Sequence, residues 1–118
     1  MIVVSNTSPI TNLAAIGQFH LFSALFEKVF IAEGVWKELN AYGKQWPGRD
    51  EVANSDCFAI KKVENEALVI SLQSDLDRGE AETIALALEI KSNLVLLDER
   101  EGRHAAERLG LKKVGVLG

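Results

Sequence analysis

The sequence has one cysteine, Cys57, in 118 residues. That rules out an internal disulfide and fits a reducing, cytoplasmic setting. No apolar run approaches the ~20 residues a membrane-spanning helix needs, and no basic stretch followed by a long apolar one marks a secretory signal. Repeats, low-complexity tracts and linkers are missing too. Positive charge is in deficit: 13 Lys and Arg against 17 Asp and Glu leave a formal net charge of −4. A chain that coats nucleic acid by charge alone is usually basic, so that role is disfavoured. An acidic chain can still act on phosphates if a bound metal ion reverses the sign of its site. The first apolar run also lacks the glycine-rich loop of a dinucleotide binder; "SNTSP" follows it instead.

What is present is a hydrophobic fraction of 47% and a charged fraction of 25%, enough for one packed domain over residues 1–118. Strand-length apolar runs occur at Ile2–Ser5, Val29–Ala32, Phe58–Val63, Leu94–Leu97 and Val114–Leu117. They are nearly continuous in apolar character, as parallel strands buried on both faces are. Helical patterns lie between them. Thr7 or Ser8 can cap a helix with Pro9 in its first turn and Gly17 at its end. Further helices are expected over His20–Phe26, Gly34–Tyr42, Asn65–Gln73, Gly79–Ile90 and Arg103–Leu109, with Gly110 as a stop. Gly43–Ser55 reads as an exposed loop, with Trp46 either a core plug or a contact surface. The alternation predicts an α/β three-layer sandwich: a mainly parallel four- or five-stranded sheet with helices on both faces.

Ligands of such sheets bind beyond the carboxyl ends of the strands. Ser5, Asn6 and Thr7 lie there after the first strand, and Asp98 and Glu99 after "LVLL". Glu38, Glu80 and Glu82 can reach the same edge from helices. Each has a structural rival: a helix cap for Asp98, a salt bridge for Glu38, a capping box with Asp77 for Glu80. Glu82 fills the same box if Gly79 is the cap. Gathered at one edge, these carboxylates would repel one another, and a hard cation such as Mg²⁺ or Mn²⁺ would offset that. The usual task of such a cluster is phosphodiester cleavage by metal-activated water.

Four stretches, "VVSNTSPITNLAAIG", "FEKVFIAEGVWKEL", "LDRGEAETIALALE" and "LVLLDEREGRHAAERLGL", resemble in order and spacing the PIN-domain ribonucleases. That family includes the VapC toxins of prokaryotic toxin–antitoxin pairs, and the likeness is greatest to a compact prokaryotic subfamily. The resemblance implies a Mg²⁺- or Mn²⁺-dependent endoribonuclease acting on RNA in the cytoplasm, a toxin with an antitoxin partner, and a homodimer. It places the acidic cluster at Asn6, Glu38, Glu80 and Asp98, with Glu82 and Glu99 as alternates for the last two. Thr7 and Ser8 supply the hydroxyl beside the first position, and Arg100 and Arg103 would hold flanking phosphates. The bland reading of those arginines is a solvated helix face paired with Glu101 and Glu107. His20 and His104 have no zinc spacing and are read as non-catalytic. Two departures stand out. Asn6 occupies a position where most relatives have Asp, and relatives usually continue past the last strand, so a closing helix is missing or comes from a partner. These departures motivate the alternative of a PIN fold kept for RNA or protein binding without catalysis.

Overall fold

Val29–Ala32 and Leu94–Leu97 form strands over those same residues, as a short apolar run buried on both faces should. They belong to a computed structural model that describes residues 1–41, 43, 46–109 and 114–116, with side chains described through residue 104. Tyr42, Gly110 and Leu117 lie outside the described residues, as do the side chains of Arg103–Leu109 beyond His104. In chain order the elements are β1 (Val3–Ser5), α1 (Thr7–Ala15), α2 (Leu21–Leu25), β2 (Val29–Ala32), α3 (Glu33–Ala41) and α4 (Arg49–Ala53). There follow β3 (Phe58–Lys61), α5 (Glu66–Leu72), α6 (Arg78–Glu89), β4 (Leu94–Leu97), α7 (Glu99–Leu109) and β5 (Val114–Val116).

The strands pair in the order β3-β2-β1-β4-β5, all parallel. Side chains alternate strictly between two cores, as the two-residue strand period requires. Val3, Val29, Ile31 and Leu96 pack with Ile10, Phe22, Val35, Leu39 and Val52 of α1 to α4. Val4, Ala32, Val95 and Leu97 face the other way, onto Val69 and Leu72 of α5 and Ala81, Ile84 and Ala85 of α6. The result is the three-layer α/β sandwich expected from the alternation. Cys57 is a small buried hydrophobe just ahead of β3.

Two expectations need correction. The stretch Gly43–Ser55 is not all loop, since it carries α4. Gly48 supplies the left-handed φ of +102° that lets the chain enter that helix, and a side chain there would strike Ile10. Val52 is the one residue of α4 that is buried. Secondly, α7 starts at Glu99, well before Arg103, because Asp98 caps it.

The topology fixes where a site can form. From β1 the chain moves outward to β2 and β3 over one face, then returns over the other to place β4 on the opposite flank of β1. The crossover direction therefore reverses between β1 and β4, where a crevice opens at the carboxyl edge. Asn6 and Asp98 follow those two strands, and the Asn6 N–H donates to the Leu96 carbonyl at 3.0 Å.

Candidate active site

A cleft of about 260 Å³ opens at this switch point. Asn6, Thr7, Ser8, Thr11 and Asn12 line it from α1 and its entry, Glu38 from α3, and Trp46 from the following loop. Asp77 at the start of α6 and Asp98, Arg100 and Glu101 at the start of α7 complete the wall. Four carboxylates therefore share one small opening.

Asp98 and Glu101 are held by a reciprocal cap. The Glu101 N–H donates to Asp98 Oδ1 at 2.9 Å, and the Asp98 N–H donates to Glu101 Oε1 at 3.1 Å. This is a capping box, and it fixes both side chains at the strand end. Glu101 is buried. Burial raises its pKa, and the Asp98 N–H and the Asn6 amide, which both donate to it, hold that rise down in part. Its second oxygen accepts a hydrogen bond from Asn6 Nδ2 at 2.9 Å. Asn6 occupies the N-cap position of α1 but makes no side-chain cap bond. Its amide faces the crevice instead, where Oδ1 accepts from the Thr83 hydroxyl at 3.2 Å. That hydroxyl has a single proton and also reaches the Gly79 carbonyl at 2.8 Å. When the proton goes to Gly79, Asn6 Oδ1 is left as a free acceptor.

Glu38 comes from α3, which packs against α6 at this edge through two glycines. A Cβ on Gly79 would overlap Glu38 Oε1, and one on Gly34 would meet the Glu82 carboxylate at 2.9 Å. Only glycine lets each carboxylate cross the helix pair. Glu38 is half-buried, and burial raises its pKa, with Asp77 adding to the rise. The Thr7 hydroxyl holds that rise down in part from close by, although the buried Oγ1 lacks a partner at full hydrogen-bonding geometry.

Glu82, an alternate in the acidic cluster, has a different task. Its Oε1 accepts from the Gly34 N–H at 3.0 Å, and its Oε2 pairs with Arg78. It therefore anchors the first turn of α3, where a negative charge suits the exposed N–H groups and the helix dipole. Glu99, the other alternate, is exposed and does not line the cleft.

Glu80 is 3% exposed and sits behind the cleft wall without lining it. The N-cap is Asp77, whose Oδ1 accepts from the Glu80 N–H at 2.8 Å. The expected box is only half made, because Glu80 Oε1 is buried without a hydrogen-bond partner. That same oxygen lies 3.7 Å from Nδ1 of the His104 imidazole. Burial, and then the charges of Glu101 and Asp77, push the Glu80 pKa up to about 7, while His104 and Arg100 pull it down.

This donor set suits a hard divalent cation. Every candidate ligand is an oxygen, and one buried carboxylate oxygen, Glu80 Oε1, has no hydrogen-bond partner. Among the described residues no three carboxylate, imidazole or thiol groups already form a metal cage. Mg²⁺ does not require one, since it is commonly held by one or two carboxylates and several waters.

Of the residues singled out in the sequence, Asn6, Thr7, Ser8, Glu38, Asp98 and Arg100 share the cleft. Glu80 backs it, and Arg103 is exposed without lining it. Glu101 corrects the sequence reading. The sequence suggests a partner of surface arginines, yet Glu101 is buried against Asn6. Its signal was the spacing Asp98-x-x-Glu101, which matches a capping box and turns the glutamate back toward the strand end. Asp77 also lines the cleft besides capping α6.

Among the described residues no helix is long and apolar enough to cross a membrane. A family model described as a PIN domain matches residues 2–118. No curated protein and no solved structure matches the chain.

Proposed function

Because the chain belongs to the PIN-domain family, a nuclease-type fold, we propose that it is a metal-dependent endoribonuclease acting in the cytoplasm as the toxin of a toxin–antitoxin pair. The observation that carries the nuclease reading is the buried Glu80 carboxylate. It has an oxygen without a hydrogen-bond partner and a pKa of about 7, and it backs a cleft lined by Glu38, Asp98 and Glu101. A fold gains nothing from gathering repelling carboxylates unless something positive binds among them. The toxin role, the antitoxin and the homodimer rest on the likeness to the VapC toxins, as does the choice of RNA over DNA.

In this reading Glu38, Glu80, Asp98 and the neutral Asn6 would hold Mg²⁺ or Mn²⁺, with Glu101 beside them. When bound, the cation would supply a water acidic enough to attack phosphorus at neutral pH and positive charge for the phosphate oxygens. The residues of the chain have their own parts. Asp98 and Glu101 are fixed in direction by their mutual backbone bonds, which limits reorganisation when a substrate arrives. Glu38, partly exposed with a raised pKa, lines the cleft and can accept a proton there. Ser8 presents its hydroxyl to a phosphodiester, with the buried Thr7 hydroxyl beside it, and Arg100 offers its charge to a flanking phosphate, with Arg103 further along α7.

The direct test is Asp98→Asn. Asparagine remains a good N-cap, so α7 keeps its start while the cleft loses a charged oxygen. Cleavage should fall by more than the roughly 10–100-fold that loss of an outer-shell partner costs a metal site. Undiminished cleavage by the pure, folded variant would remove Asp98 from the reaction. A second reading, a PIN fold serving RNA or protein binding without catalysis, is favoured by one observation: Asn6 brings no charge and is hydrogen-bonded on both sides. It predicts RNA binding without turnover and no heat of Mn²⁺ binding at millimolar metal.

A further inference from the structure

We propose that the Asn6 amide is a built-in counter-group for Glu101, holding the metal-free site together where a carboxylate at residue 6 would set two like charges against each other. Both side chains are buried, at 3% and 5% exposure, so solvent does little to screen them. Asn6 Nδ2 donates to Glu101 Oε2 at 2.9 Å, while the other oxygen of Glu101 accepts from the Asp98 backbone. Both oxygens of Glu101 thus have N–H donors without any cation. Asn6 reaches this contact by leaving the cap position of α1 unserved by its side chain, although Asn is among the best capping residues. The Thr83 hydroxyl lies 3.2 Å from Oδ1 on the other side, so the amide's donor end faces Glu101.

Aspartate has the same shape as asparagine but no donor. At residue 6 it would place two carboxylate oxygens at the 2.9 Å now spanned by the hydrogen bond. Such a pair persists only with a cation beside it or with one proton shared between the two carboxyls, and the second course costs stability as pH rises. The identity of residue 6 therefore decides how much the metal-free fold loses at a pH where both carboxyls would ionise. The accompanying change in metal affinity rests on the metal site proposed above; the metal-free stability does not.

The experiment compares wild type, Asn6→Asp, Glu101→Gln and the double variant by thermal unfolding in chelator and in Mn²⁺, with Mn²⁺ affinity measured by calorimetry. Asn6→Asp should melt lower than wild type in chelator, by on the order of 5 °C or more. Mn²⁺ should raise its melting point further than that of wild type, with affinity up by on the order of tenfold for the added charged ligand. In the double variant donor and acceptor exchange places across the same contact, so melting in chelator should return toward wild type. That rescue also decides the case if Asn6→Asp alone fails to fold without metal. Melting of Asn6→Asp at the wild-type temperature in chelator, or a double variant no better than Asn6→Asp, would overturn the proposal. Unchanged Mn²⁺ affinity alongside the rescue would support the amide's part and count against the metal site.

Discussion

Glu80→Gln should stabilise the metal-free protein at neutral pH. The folded chain holds the Glu80 proton until about pH 7, whereas an ordinary glutamate releases it near 4.5. Between those values the folded state binds more protons than the unfolded one, so stability falls as pH rises. It is fully retained below about 4.5 and the loss is complete above about 7. A rise of that size corresponds to about 3 kcal/mol. For a domain of this length that is about 10 °C in melting temperature. Glutamine keeps the shape and cannot ionise, so it should remove this part of the slope. Burial raises Glu38 and Glu101 in the same direction, so the variant keeps a shallower slope rather than none. The assay is thermal unfolding in chelator on both sides of the window. Wild type and Glu80→Gln should melt together in acid and separate near pH 8, with the variant higher. Mn²⁺ should then close the gap by stabilising wild type more. A variant that melts at or below wild type in chelator at pH 8 would refute the view that Glu80 is destabilising until something binds it.

Gly79→Ala should push the Glu38 carboxylate out of place, at about 1–3 kcal/mol in stability and with a loss of cleavage. The shorter side chain of Glu38→Asp in the same protein should recover part of that stability in urea unfolding. Glu82→Gln should weaken the pairing with Arg78 at about 1 kcal/mol yet leave Mn²⁺ binding as it was, because Glu82 serves the start of α3. Lost Mn²⁺ binding would return Glu82 to the cluster. Arg100→Ala should weaken binding to RNA of any sequence and lower the slope of log affinity against log salt by about 1, measured by fluorescence anisotropy. Arg103→Ala should change that slope less.

The sheet was legible because β1 to β4 are brief apolar runs closed by a polar residue, and strands as buried as β1, β2 and β4 need little else. The helix α6 was legible because Ala81, Ile84, Ala85 and Leu88 repeat at helical spacing, although Leu88 itself is exposed. The helix α4 was not, since five residues with a single buried apolar side chain leave no period to detect. The position of the cleft followed from the rule that ligands gather at carboxyl ends, which picked out Asn6 and Asp98. Glu101 escaped because "EREGRHAAER" is charged enough to read as a solvated face. What buries it is the fold, which brings residue 6 and residue 101 together across the switch point. Glu82 misled for the converse reason. It is buried and acidic, but its partners are a backbone N–H on α3 and an arginine one turn earlier, and no local pattern announces either.

The most direct measurement is a calorimetric titration of chelator-treated protein with Mn²⁺ near pH 8, run beside Asp98→Asn. Wild type should bind saturably in the submillimolar range, with the affinity sharply reduced in the variant. No heat of binding up to millimolar metal, or the same isotherm for both proteins, would contradict the metal site.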